Sequence, residues 1–280
     1  MSYIKYHLEE IVILAALIAV LYLLFYILKS KRRRRKVGFY LSFIFYKLGF
    51  IKRMSKKNIG MVHVHESYEP LVDLVPHPKI IINNETVEHP VLLRKNVALR
   101  LYKIADKLPE NIYLKIYSTY RSRIALYNKW VEEVEKMEKE NPNMGRAELL
   151  SLVKFKATSP NTNMGGHDTG AAIDLALCDK NGKELDFGTS YYEKNLGSKS
   201  VVELTDEQKK NQKYIKKLMK TENFVQQPSQ WWHYSYGDRY WAVYKGKRNR
   251  GAIYGSVEKE FENVGYVAVV KTQLSSVNIK

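Results

Sequence analysis

The first long pattern in the chain is an apolar one: from Ile11 to Leu28 no residue is charged. With Leu8 in front, and at 1.5 Å per residue, this run approaches the roughly 30 Å of a hydrocarbon core. Residues 8–28 are therefore expected to cross a membrane as a helix, within an anchor segment 1–28. A second apolar stretch, Val37 to Ile51, is broken by Lys47 and is short for a span, so it reads as a helix lying in the membrane interface. After a polar linker over 52–60 the periodicities change. Leu92, Val97, Leu101, Ile104 and Leu108 recur at helical spacing and stop at Pro109. Ile112 to Tyr117 alternates as a strand does, and Ile124 to Glu140 is a charged amphipathic helix ended by Asn141-Pro142. Gly170 to Leu177 is short and apolar, a buried strand with Asp174 set inside it. Thr205 to Lys220 reads as a helix opened by a Thr205–Gln208 capping box. Trp231 to Val270, rich in Tyr, Trp and Val with glycine punctuation, reads as strands. The order is not a regular alternation of strand and helix, so the fold class is α+β. An antiparallel sheet flanked by helices is expected in a domain over 61–280, behind a basic juxtamembrane segment over 29–60.

Charge sharpens the reading of the N-terminal part. Of a net +17, twelve lysines and arginines lie between residues 29 and 57 with no acid among them. A basic block beside an apolar segment suits an anionic membrane surface, and no nucleic-acid-binding motif accompanies it, so a nucleic-acid partner is not expected. A secretory signal peptide carries its positive charge before the apolar run; here Lys29 and Lys31 to Lys36 follow it, so an uncleaved anchor is expected. By the positive-inside rule a single span leaves the C-terminal domain on the cytoplasmic face.

A single cysteine, Cys178, excludes an intramolecular disulfide and a cysteine-based metal site, so any metal must be held by nitrogen and oxygen ligands. Two segments carry chemistry: Gly165-Gly166-His167-Asp168-Thr169-Gly170-Ala171-Ala172-Ile173-Asp174, and Pro228-Ser229-Gln230-Trp231-Trp232-His233-Tyr234. A carboxylate inside an apolar strand is costly unless it is paired or metal-bound. A histidine seven residues before it and another among tryptophans complete two imidazoles and a carboxylate, the ligand set of a zinc ion with one position left open. The same residue types also suit a hydrogen-bonded His and Asp in a core. His63 and His65 alternate as strand neighbours with no third ligand beside them, and structural roles are expected. Trp231, Trp232 and Trp241 are expected in the core and the pocket wall, and Asn128 and Lys129 on a solvated helix face.

These two segments resemble the motifs of D-alanyl-D-alanine dipeptidases of the VanX type, zinc peptidases grouped with the D,D-carboxypeptidases and the hedgehog signalling domain. The likeness runs over about residues 61–250 and includes Leu92-Leu93-Arg94, Tyr120-Arg121 and Asp186-Phe187-Gly188-Thr189. It implies His167, Asp174 and His233 as zinc ligands, Arg121 as the arginine that stabilises the transition state near the scissile carbonyl, and D-Ala-D-Ala or a related cell-wall peptide as substrate.

The departures from the family pattern fall on chemistry. Three residues before the last histidine the family has a glutamate that acts as general base; here stands Gln230, whose amide cannot take up a proton at neutral pH. Gly165 replaces a serine, and the position of an expected acid after Gly188-Thr189 is taken by Tyr192, beside Glu193. Those two family positions bind the ammonium of a dipeptide. Glu222 is too far upstream to replace the base and is expected on a helix surface. The sequence thus supports a zinc metallopeptidase or, alternatively, a catalytically inactive zinc-containing peptide-binding module at the membrane.

Overall fold

The computed structural model describes residues 2–51, 54–87, 90–156, 166–191, 203–228, 230–246 and 250–257, and of these the side chains of all but 2–14, 56–57 and 154–156. The chain falls into two compact units, Met1–Asn58 and Ile59–Lys280. In the first, α1 (Ser2–Leu28) is followed by α2 (Lys31–Lys47), with Ser30 as its N-cap. The Arg33 guanidinium lies 3.5 Å from the ring centre of Tyr26, tying the start of α2 to the end of α1. The basic run from Lys31 and most of the second apolar stretch form one continuous helix, which ends at Lys47. Leu21, Tyr22 and Phe25 of α1 are exposed. Among the described residues no helix is long and apolar enough to cross a membrane. The described residues therefore do not support the expected span; the side chains of its first part, 8–14, lie outside them.

The second unit begins around α3 (Lys56–Gly60), and its described residues form two sheets. The small one pairs β1 (Leu71–Asp73) with β3 (Leu92–Arg94), antiparallel. The main one uses β2 (Ile80–Ile82), β4 (Tyr113–Ser118), β5 (Ala172–Cys178), β6 (Val225–Gln226) and β7 (His233–Ser235), in the order β2-β4-β5-β7-β6. It is not wholly antiparallel, as the sequence suggested: β2 runs parallel to β4 at one edge. That edge strand comes from Ile80–Ile82, a run of three isoleucines too short to show a period of its own.

Around the sheets lie α4 (Lys95–Asp106), α5 (Arg123–Glu140), α6 (Arg146–Lys156), α7 (Asp206–Thr221) and α8 (Arg239–Tyr244). The expected Leu92 helix starts three residues late, because Leu92–Arg94 pairs with β1 before the chain turns into α4. Val97, Leu101 and Ile104 of α4 join Ile173, Leu175 and Leu177 of β5 and Ile215 and Met219 of α7 in one core. Burying each large aliphatic side chain contributes about 1.5–3 kcal/mol. The α5 helix is capped by the Ser122 hydroxyl, which accepts from the Ala125 amide at 3.1 Å, and packs with α6 around Trp130, Met137 and Leu149 in a core of its own. The Thr205–Gln208 capping box is present at the start of α7. The expected strands beyond Trp231 are only partly there. After β7 the chain turns at Gly237, and the Asp238 carboxylate accepts from the Trp241 amide at 2.8 Å, starting α8 where aromatic-rich composition imitated a strand. Residues 258–270 of that stretch lie outside the described residues.

Candidate metal centre

Every residue of β5 is buried, so the sheet presents β5 side chains alternately to its two faces. Ile173, Leu175 and Leu177 share one face and Ala172, Asp174 and Ala176 the other, Ala176 still belonging to the core. The neighbouring strands then fix what Asp174 meets. In the register Asp174 stands opposite His233 on β7 and opposite Ser118 on β4, and Ala172 opposite Ser235. Small residues on either side of Asp174 leave room on this face. The register of β4 shifts between Ile116 and Ser118, a bulge at Tyr117.

His167 arrives from the loop before β5, on a single 3-10 turn, His167–Thr169, closed by Gly170 in the left-handed region at φ 67°. Its positive φ favours glycine there, and a side chain would also have to displace the end of Leu71. Gly166 is required by closeness alone: a Cβ there would stand 2.8 Å from Ala172 Cβ and 2.9 Å from Asp238 Oδ2.

The three side chains converge. Asp174 Oδ1 lies 2.8 Å from His233 Nδ1 and 3.3 Å from His167 Nε2. The ligand atoms of the three all lie within 4.8 Å of one another, the one such cluster of His, Cys, Asp and Glu among the described residues. His167 Nδ1 donates to the Thr119 carbonyl at 2.7 Å, which fixes the tautomer and leaves the Nε2 lone pair facing Asp174. On its far side His233 Nε2 lies 3.3 Å from Ser235 Oγ. Burial pushes the His167 imidazole down, against the pull of Asp174, so it stays neutral. Burial would raise the Asp174 carboxyl, but the two imidazoles outweigh it and hold it well below the usual carboxylate range. Asp238, next to this network, is pushed up by burial.

Tetrahedral zinc with ligands at 2.0–2.1 Å needs donor atoms roughly 3.3 Å apart. The 3.3 Å between Asp174 Oδ1 and His167 Nε2 meets that spacing. The 2.8 Å between Asp174 Oδ1 and His233 Nδ1 is shorter, at hydrogen-bond distance. The donor set of two imidazoles and one carboxylate is one that zinc takes. Arg121 is brought to the same place: its amide donates to the His167 carbonyl at 3.2 Å, and its Nη2 donates to the Tyr191 hydroxyl at 3.3 Å. Tyr191 in turn donates to Asp174 Oδ2 at 3.1 Å.

Gln230 lies half-buried in the loop that leads into β7, its amide donating to the Gln227 carbonyl at 3.1 Å. The next residue, Trp231, is propped by the Asp186–Thr189 stretch: its ring stacks on Phe187 at 4.1 Å and its Nε1 donates to Thr189 Oγ1 at 2.9 Å. Glu222 is buried, not on a helix surface, because Lys107 (2.7 Å) and Arg100 (3.8 Å) neutralise it where α7 ends. Gly165, Tyr192 and Glu193 lie outside the described residues. The rings of His63 and His65 touch at 4.4 Å on either side of Val64, which bridges to Ala252. Sequence reasoning missed Tyr191, Thr119, Ser235 and Asp238. Only Tyr191 had a signal, as the aromatic just past Asp186–Thr189.

Comparison with known proteins places this arrangement. A D-alanyl-D-alanine dipeptidase from Synechocystis sp. is 32% identical in a 108-residue alignment that covers 33% of this chain and 44% of that protein, less than half its length. Among solved structures, VanYB in complex with D-alanine-D-alanine is 15% identical with a TM-score of 0.39, over 71% of this chain and 91% of that one. A point mutant of the vancomycin-resistance D,D-pentapeptidase VanY, in complex with Zn(II), is 16% identical with a TM-score of 0.36, over 61% and 90%. The model of the D-ala-D-ala dipeptidase family matches residues 83–248, a stretch that holds the whole His167–Asp174–His233 cluster together with Arg121 and Gln230, and this chain belongs to that peptidase family.

Proposed function

We propose that this chain is a zinc-dependent peptidase-fold protein acting on D-Ala-D-Ala or a related cell-wall peptide, with turnover held low by Gln230. The observation that carries the reading is the convergence of His167, Asp174 and His233 on one point of the β5–β7 face. Zinc bound there would polarise a peptide carbonyl and lower the pKa of a coordinated water. The protein's own part is to hold the ligands ready: Asp174 ionised, His167 neutral with its tautomer set by the Thr119 carbonyl. Arg121, anchored beside the cluster, is the cation suited to an oxyanion developing at the scissile carbonyl. Gln230 occupies the position of the family's base. An amide there leaves a proton without an acceptor, and general-base catalysis is worth about 10²–10⁴-fold. The same residue favours a second reading, a zinc-containing peptide-binding module without turnover.

Metal analysis of the purified chain tests the first step. About one zinc per chain is expected, with His233→Ala losing it; full zinc retention by His233→Ala would remove the assignment.

We also infer that the N-terminal unit attaches the protein to a membrane, with the peptidase unit on the cytoplasmic face. The exposed apolar side chains of α1 and the basic start of α2 support it. Protease protection in intact cells is the check: digestion of residues 59–280 by external protease would overturn that orientation.

A further inference from the structure

The Tyr191 ring is held without help from its hydroxyl. It stacks on Tyr117 at 4.1 Å with an 8° interplanar angle, and meets Trp232 edge-on at 5.8 Å. Tyr117 sits at the register shift in β4. With the ring fixed on two sides, the hydroxyl can reach only a narrow region, and that region holds Asp174 Oδ2 at 3.1 Å and Arg121 Nη2 at 3.3 Å. The direction of both bonds follows from the groups. An ionised carboxylate only accepts and a guanidinium only donates, so the phenol gives its one proton to Asp174 and accepts from Arg121.

This divides the two oxygens of Asp174. Oδ1 faces both imidazoles, at 2.8 and 3.3 Å, while Oδ2 is occupied by the phenol. A carboxylate left free can swing to offer both oxygens to a metal. One whose second oxygen is hydrogen-bonded offers one. The same hydroxyl ties the Arg121 guanidinium to the ligand it stands beside, so the cation and the metal centre keep a fixed spacing.

We propose that Tyr191 is a positioning residue of the metal centre, its hydroxyl holding Asp174 as a single-oxygen ligand and setting Arg121 beside it. The proposal rests on the reading of His167, Asp174 and His233 as the metal-binding set. It concerns the hydroxyl and not the ring, which makes it separable from packing.

The test uses the full-length chain and its Tyr191→Phe and Tyr191→Leu variants. Zn(II) affinity is measured by competition with a chromophoric chelator, and the Co(II)-loaded proteins are compared by their d–d absorption. Loss of an outer hydrogen bond to a ligand costs about 10–100-fold in metal affinity. Tyr191→Phe, which keeps the stack on Tyr117, is expected to bind zinc about tenfold or more weakly, with weaker d–d bands as Asp174 turns to offer both oxygens. Tyr191→Leu is expected to lose zinc affinity to a similar extent while also unfolding at lower temperature. The proposal is overturned if Tyr191→Phe binds zinc within about twofold of the parent with a superimposable cobalt spectrum, whatever Tyr191→Leu does. A parent chain that binds neither ion would remove the metal-site reading itself, an outcome distinct from equal binding by parent and Phe variant.

Discussion

Asp174 and His233 stand opposite one another on paired strands, whereas Arg121 and Gln230 stand on the loops that leave β4 and enter β7. The two sides of the site are under different constraints. On the strands, a slip of one residue in register would carry Asp174 into the core and Ile173 out of it, so ligand identity and fold stability are tied together. On the loops, glutamine can replace glutamate at the same shape and leave the sheet as it is. On the proposed reading, the strand side of the site can stay whole while the loop side changes.

The comparison breaks if the loop residues carry no chemistry. The largest expected effect is at Arg121. In a Gln230→Glu background, Arg121→Ala should lower kcat by about 10²–10³-fold, the scale of one lost oxyanion contact, and raise KM less. Steady-state kinetics on D-Ala-D-Ala separate the two parameters; a change confined to KM would assign Arg121 to ground-state binding alone.

A smaller effect sharpens the strand side. Folded His167 is held neutral by burial, while an unfolded histidine takes a proton near pH 6.5. Below that pH the unfolded chain binds the extra proton, so the metal-free protein should lose stability as pH falls, by at most about 1.4 kcal/mol per pH unit from this group. Asp174 acts in the same direction lower down. Its folded carboxyl stays ionised well below the usual range, so its contribution is present above about pH 4 and is lost as pH falls further. Thermal unfolding of metal-free protein between pH 8 and pH 5 should show the decline, with a shallower slope in His167→Gln.

What could be read from the sequence follows the same division. A carboxylate inside the apolar stretch Gly170 to Leu177 is visible in one dimension, because burial of an isolated charge demands a partner. The Thr205–Gln208 cap is a local pattern and was legible for the same reason. Tyr191 had only the faint signal of an aromatic just past Asp186–Thr189 and Thr119 had none, because they reach Asp174 and His167 through space, by a hydroxyl held in a stack on Tyr117 and by a backbone carbonyl. The α8 helix was mistaken for a strand because its Tyr and Trp content outweighed the Asp238 cap that starts it. The parallel pairing of β2 depends on a crossover that no local pattern encodes.

The central claim is that the metal side is complete and the base is missing. It is tested most directly by measuring zinc content and D-Ala-D-Ala hydrolysis for the chain as it stands and for Gln230→Glu. Equal zinc in both, with turnover at least about a hundredfold higher in Gln230→Glu, is the predicted result. Equal and substantial turnover by the two proteins would contradict it, because another group would then be doing the work assigned to position 230.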